Sequence, residues 1–398
     1  MKESLLEKLR RVRPADILHG FLFLLALLPA AILRMRRRHL WLLCEYAYEA
    51  QDNAFALFRH LKTKHPEIDA VYAIKRRSPA YETVAALGET VEYGSLRHWI
   101  YYLAAEVNVS SQKGGKPNAA VCYVLEVVLG WIGTPRVFLQ HGVTKDDLPF
   151  LHADQAKLSL FCCAAKPEYE FVRDTFGYAP GVVRYTGFCR FDDLITAKPD
   201  PSLVLILPTW RMWIERECRS EAAFSESAYY RGWQAFINDP VLDALLKETG
   251  RHAVFCVHRN MSRFETAFTT ASERIAIRRW SEVSVPELIR NAAVLVTDFS
   301  SVFMDFAFQK KPVVYYQFDR ETFRKGHLPA GYFDYARDGF GPVTETVPEA
   351  LSALKETIGH ECRMEPPYGE RVDRFFTLRD ANASERTTEA IREIIARR

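Results

Sequence analysis

The chain has 398 residues, 48% of them apolar and 26% charged, which are the proportions of a folded globular protein with length enough for two cores. Its net charge of +3 is too small to argue for nucleic acid as a partner, and no basic stripe interleaved with aromatic residues crosses its body. Eight scattered cysteines with no Cys-x-x-Cys pair read as reduced thiols of a cytosolic protein, so neither a metal site nor a cofactor is expected.

The first element is Ile17 to Leu33, ILHGFLFLLALLPAAIL. It falls slightly short of the roughly 20 residues of a spanning helix and is interrupted by His19, Gly20 and Pro29. Lys8, Arg10, Arg11 and Arg13 precede it, and Arg34, Arg36, Arg37 and Arg38 follow. Basic flanks suit a helix lying in an anionic membrane surface, or a short anchor with its bulk cytoplasmic. Arg34-Met35-Arg36 is a poor match to a small-residue cleavage site. Residues 1–38 are therefore expected to attach the protein to the cytoplasmic face of the membrane, peripherally or monotopically; a buried core helix is the competing reading.

Beyond it, Leu40 to Cys44 and Ile68 to Ile74 read as strands, with a helix from Ala54 to Lys64 between them capped by Asp52 or Asn53. Val107 to Ser110 and Val137 to Leu139 read as further short strands, each ending in polar residues. Lys113-Gly114-Gly115-Lys116-Pro117 fails the Walker spacing, because Ser110 stands where glycine is needed and Pro117 where a hydroxyl residue is needed. Ala197 to Pro201 is a proline-rich linker candidate. After it come strands at Leu203 to Leu207, Val254 to Val257, Ala293 to Val296 and Val313 to Tyr316, then a C-terminal helix marked by Thr387, Ala390, Ile391, Ile394 and Ile395. Alternating strands and helices predict an α/β protein of two Rossmann-like domains, residues 39–196 and 197–398, facing each other across a cleft. Ligands of such sheets sit at the carboxyl ends of the strands.

Four polar clusters occupy those ends. Gln140-His141-Gly142-Val143-Thr144-Lys145 offers a histidine suited to accept a proton and a lysine that could meet phosphate. Pro208-Thr209-Trp210-Arg211 offers a guanidinium fork and a stacking face. His258-Arg259-Asn260 repeats the pairing of histidine and cation. Thr297-Asp298-Phe299-Ser300-Ser301 is expected to lie at a helix N-terminus, which favours an anion, although Asp298 or Ser300 could simply cap the helix. No Gly-x-Ser-x-Gly elbow or Gly-x-Gly-x-x-Gly fingerprint is present, so hydrolase and dehydrogenase readings recede. The absence of an Asp-x-Asp pair gives no argument for a divalent ion.

Seven blocks resemble, in order, the CDP-glycerol glycerophosphotransferase family, whose members build teichoic-acid-like and capsular polyol-phosphate polymers. They are FLQHGVTKDDLPF (138–150), KPEYEFVRDTFGY (166–178), TGFCRFDDL (186–194), LPTWRMW (207–213), CVHRNM (256–261), TDFSSVFMDFAFQKKPVVYYQFD (297–319) and KGHLPAGYFDYARDGFGPV (325–343). The resemblance implies a glycosyltransferase-B-like fold, with an acceptor-side first domain, a nucleotide-donor second domain and a C-terminal helix crossing back. It implies transfer of glycerol phosphate from CDP-glycerol, or a related CDP-activated polyol, to a hydroxyl of a lipid-linked saccharide or polyol-phosphate acceptor, releasing CMP. By the same resemblance His141 is the general base and His258 the donor-phosphate histidine. Arg211, Thr297, Asp298, Ser300 and Ser301 form the donor phosphate and nucleotide set, with Lys145 as an acceptor-side or phosphate contact. The sequence departs from the family at Arg259, where many members carry proline, and at Phe299, often tyrosine. A nucleotide-sugar transferase of the same fold and a non-catalytic component of an envelope assembly complex are the alternatives.

Overall fold

The computed structural model describes residues 13–326 and 329–397; Lys8, Arg10 and Arg11 of the expected basic cluster lie outside the described residues. Two parallel sheets make up the body. The first contains β1 (Leu40–Cys44), β2 (Asp69–Ile74), β3 (Thr90–Glu92), β4 (Val107–Ser110), β5 (Arg136–Phe138), β6 (Leu160–Cys163) and β7 (Val183–Tyr185) in the order β3-β2-β1-β4-β5-β6-β7. The second contains β8 (Asp200–Ile206), β9 (His252–Cys256), β10 (Ile275–Arg278), β11 (Ala292–Thr297), β12 (Val313–Tyr316) and β13 (Val343–Thr344) in the order β10-β9-β8-β11-β12-β13. Each is the doubly wound arrangement that alternating strands and helices predict. Leu40–Cys44 and Ala292–Thr297 are buried along their whole length, because helices cover both faces of a parallel sheet.

Helices α1 (Pro14–Arg36), α2 (Asn53–Lys64), α3 (Leu96–Ala104) and α4 (Lys166–Thr175) flank the first sheet, α5 (Phe303–Phe308) follows β11, and α6 (Ala383–Ala396) is the last element. The expected linker is shorter than read: Asp200 and Pro201 already belong to β8. Helix α6 crosses back onto the first domain, where Ile391 joins a core with Leu43, Cys162 and Cys189. Both Asp192 carboxylate oxygens accept hydrogen bonds from the start of α6, from Ala383 N at 2.8 Å and Ser384 N at 2.9 Å. All eight cysteines are free thiols, six of them buried.

Helix α1 divides between the two readings. Its seam of His19, Phe23, Ala26, Ala30 and Leu33 recurs every three or four residues and faces the first domain. Phe23, Ala26 and Ala30 are buried with Trp99 and Tyr102, and the two alanines let the helices approach closely. Trp99 Nε1 donates to His19 Nδ1 at 3.0 Å. Arg37, expected among the headgroup-binding cations, instead turns inward and bonds Asp69 and Glu89, the latter at 2.8 Å. The opposite face exposes Ile17, Leu18, Phe21, Leu24, Leu25 and Leu28. Among the described residues α1 is the one helix long and apolar enough to cross a membrane, and most of its apolar stretch is not buried against the protein. Phe23→Ala should therefore destabilise the protein in detergent by about 3–5 kcal/mol, the usual range for emptying a buried aromatic site. Leu25→Ser on the other face should leave the melt within about 0.5 kcal/mol of wild type. Equal losses in thermal denaturation would mean that the helix is enclosed all round.

Candidate active site

The carboxyl ends of the two sheets face a cleft of about 640 Å³. His141, Arg190, Trp210, His258, Arg259, Trp280, Ser300 and Ser301 are among the residues that line it.

His141 owes its position to the residue before it. Gln140 has φ 61°, a left-handed conformation that costs a non-glycine residue on the order of 1–3 kcal/mol and persists only where its surroundings enforce it. Here they do. The Gln140 amide donates to Cys162 O at 2.6 Å and to Glu168 Oε1 at 3.0 Å, and its Oε1 accepts from Thr144 Oγ1 at 2.6 Å. Its carbonyl accepts from Asn53 Nδ2 at 2.8 Å. Glu168, wholly buried on α4, also takes the backbone N–H of Thr144, Ala164 and Ala165, at 2.6, 2.7 and 3.2 Å. Its burial raises it to about 7 against these hydrogen bonds. The kink delivers His141 to the cleft, and a Cβ on the next residue, Gly142, would lie only 3.0 Å from Ser301 Oγ. The strand-end loop of the first domain thus abuts the serine turn of the second.

Removal from bulk water inside the cleft, together with the charges of Arg190 and Arg259, lowers His141 to about 4. The ring remains accessible to solvent, so water moderates this effect, but its direction leaves the imidazole neutral at pH 7 and able to accept a proton.

Arg190 joins the two halves. Its guanidinium donates to Asp52 at 2.9 Å and to both oxygens of Asp305 on α5, at 2.8 and 3.0 Å, while its backbone N–H meets Asn53 Oδ1 at 3.1 Å. Burial raises Asp305, and burial and nearby Glu45 raise Asp52 to about 8 in spite of Arg190. Burial thus works against the ionisation of both carboxylates, while the Arg190 charge between them favours it. A second bridge, Arg259 Nη1 to Glu49 Oε1 at 2.6 Å, crosses the cleft mouth and gives Arg259 a partner on the opposite domain.

On the second domain, His258 caps the following turn, its Nδ1 accepting from Asn260 N at 3.2 Å. Its ring lies between Trp210 and Trp280, with centroids 6.3 and 5.4 Å away. Ser300 and Ser301 line the cleft from the tight turn that leads into α5, whose first N–H groups, on Phe303 and Met304, bond Ser300 O and Ser301 O.

Four expected contacts are corrected. Arg211 is 0% exposed and spends its donors on Asp298 at 2.8 Å, Asp319 at 2.8 and 2.9 Å and Thr209 O at 2.8 Å. Asp298, also 0% exposed, takes Thr209 N and Phe299 N on its other oxygen. Thr297 Oγ1 donates to Leu207 O at 2.6 Å. These three hold the strand ends of β8 and β11 together and do not reach the cleft. Lys145 is buried against Asp146 and the ring of Tyr335, away from it. The sequence reading missed Glu168, Asn53, Arg190 and Asp305, whose roles come from partners distant in the chain. It also missed Arg290, a cleft residue whose buried Nε has no hydrogen-bond partner.

Residues 30–393 match the model of the CDP-Glycerol:Poly(glycerophosphate) glycerophosphotransferase family. The chain belongs to this family. The match extends the expected resemblance upstream by about a hundred residues, through the whole first sheet. Among relatives of this chain, the minor teichoic acid biosynthesis protein GgaB of Bacillus subtilis (strain 168) is 29% identical over 373 residues, 90% of this chain and 40% of that protein. The teichoic acid poly(glycerol phosphate) polymerase of the same strain is 27% identical over 192 residues, 48% of this chain and 24% of that one. The chain thus spans less than half of either relative. Among solved structures, a histidine-to-asparagine variant of the wall teichoic acid polymerase TagF soaked with CDPG superposes with a TM-score of 0.67 at 16% identity, covering 97% of this chain and 99% of that one. UDP-GlcNAc 2-epimerase from Neisseria meningitidis gives 0.51 at 11% identity, covering 89% and 99%. At such identities the likeness is one of fold.

The electrostatics predict a pH profile. A histidine with a lowered pKa keeps its basic form as pH falls, so the acid limb of kcat/KM should lie well below 6.5. Arg259→Gln, which removes one of the two charges, should move that limb upward. A limb at or above 6.5 in the wild type, unmoved in the variant, would take His141 out of the profile.

Proposed function

We propose that this protein moves glycerol phosphate from CDP-glycerol to a hydroxyl of a lipid-linked acceptor at a membrane surface. The observation that carries the reading is that the strained loop presenting His141 abuts the Ser300–Ser301 turn at Gly142, so that the imidazole and both serines line one cleft. The acceptor oxygen bonds to the β-phosphorus, the bond from that phosphorus to the bridging oxygen breaks, and CMP leaves. His141 takes the hydroxyl proton. His258, Ser300 and Ser301 donate to the diphosphate as charge moves onto the leaving phosphate, and Arg290 adds a guanidinium on the same wall. Trp210 and Trp280 offer aromatic faces for the cytosine. The names of the relatives, concerned with teichoic acid and poly(glycerol phosphate), support this choice of polymer chemistry.

Membrane attachment rests on α1. Its exposed apolar face runs beside a second exposed group, Val124, Val128, Leu129 and Trp131, and Arg34, Arg36 and Arg38 remain exposed at its end for anionic headgroups.

Two experiments test these readings. Purified protein given CDP-glycerol, CDP-ribitol and nucleotide sugars in turn, with a synthetic lipid-linked acceptor, should release CMP from CDP-glycerol, and His141→Ala should lower that rate about 10²–10⁴-fold. Transfer from a nucleotide sugar alone would favour a sugar transferase, and donor binding without CMP release a non-catalytic role. Separately, the double change Leu24→Asp and Leu28→Asp should abolish sedimentation with anionic liposomes while leaving the melt in detergent unchanged. Undiminished sedimentation would move the attachment elsewhere.

A further inference from the structure

Away from the cleft, where α6 crosses α2, three side chains of metal-ligating type converge. His60 Nε2 and His65 Nε2 lie 3.0 and 2.8 Å from the same oxygen, Glu385 Oε2. One ligand atom from each of the three residues falls within 4.8 Å of the others. Adjacent ligands of a tetrahedral zinc ion, bound at about 2.0–2.2 Å, are roughly 3.3 Å apart, so small rotations would open this triangle around an ion. We propose that His60, His65 and Glu385 form a binding site for a divalent transition-metal ion of the zinc type, fastening the C-terminal helix to the first domain.

Two further observations bear on it. His65 has a partner for either tautomer. Arg392 Nη2, 3.3 Å from Nδ1, can donate to it while Nε2–H meets Glu385; Glu67 Oε1, 3.2 Å from Nδ1, can accept from it when Nε2 gives its lone pair to a metal. A carboxylate behind a ligating histidine is the usual device for fixing its ring and raising its basicity. The side chains of the two histidines are 20% and 14% exposed and that of Glu385 is 39% exposed, so three protein ligands bind from one side and water can complete the shell.

The placement gives the ion something to do. The N-terminal end of α2 carries Asp52 and Asn53, which hold Arg190 and the His141 loop, and its other end carries His60 with His65 just beyond. An ion here ties that helix to the segment returning from the second domain. The residues are 5 and 320 positions apart in the sequence, with no motif among them.

The full chain, treated with EDTA and then titrated with Zn²⁺ against a chromophoric chelator, should bind one ion per chain and melt at a higher temperature with the ion present. Glu67→Gln should weaken binding about 10–100-fold as a supporting residue, and His65→Ala or Glu385→Gln by at least as much. Both ligand variants should lose the zinc-dependent rise in melting temperature, and the metal-free melt of Glu385→Gln reports its folding separately. Absence of zinc binding by the wild type would reduce the cluster to a His–Glu hydrogen-bond clasp and overturn the proposal. Undiminished affinity in the variants, or sulfur ligation in the X-ray absorption spectrum, would place the ion elsewhere and overturn it equally.

Discussion

The Arg190 guanidinium is the joint on which the cleft depends. It is fixed on the first domain by Asp52 and backed by the rings of Phe188 and Phe191, and it grips Asp305 on the second domain. A bidentate arginine–carboxylate pair in a largely desolvated setting specifies orientation as well as separation, so it sets how the two sheets present their carboxyl ends to each other. Breaking such a pair by removing one partner leaves an uncompensated buried charge, commonly worth 3–5 kcal/mol. The same positive charge reaches His141 and helps to hold it neutral. Architecture and acid–base chemistry therefore share one residue.

The base loop adds a second constraint. Gln140 in a left-handed conformation is unfavourable by itself, and five hydrogen bonds from its side chain, its carbonyl and Glu168 to the same short loop hold it there. Glu168 lies on α4 and Asn53 on α2, so helices on both sides of the sheet contribute to aiming one imidazole. Strain of this kind clusters where a side chain must be held ready for its partner, and here the partner wall is the serine turn beside Gly142.

On the second domain, recognisable motif residues act as framework. Arg211 sits among Tyr229, Phe299 and Phe323, with ring centroids 5.0–5.2 Å from its guanidinium carbon, and is neutralised by Asp298 and Asp319. This buried triad fixes the ends of β8, β11 and the segment after β12, and so fixes the wall on which Ser300 and Ser301 stand. Phe299 stacks on Phe323, ring centroids 3.9 Å apart, a hydrophobic contact that a tyrosine there would also make through its ring face. The motif marks the neighbourhood of the site more faithfully than the atoms that face it.

Hydrophobic periodicity, strand-end polarity and the order of seven blocks were enough to read two parallel α/β domains, a cleft between them, and four residues of its wall: His141, His258, Ser300 and Ser301. These properties are local, since a run of buried apolar residues and the turn that ends it are written in neighbouring positions. The sequence by itself also marked an apolar N-terminal segment. Only the tertiary structure showed that Phe23, Ala26 and Ala30 face the protein while Leu24, Leu25 and Leu28 face outward. It alone decided that Arg211, Thr297, Asp298 and Lys145 turn inward, and that Arg190, Glu168 and Asn53 aim the base. The reason is physical: whether a charged side chain faces a ligand or a buried counter-charge depends on which distant residue folding brings beside it. Asp319 for Arg211, Asp305 for Arg190 and Glu385 for His60 lie between 108 and 325 positions away.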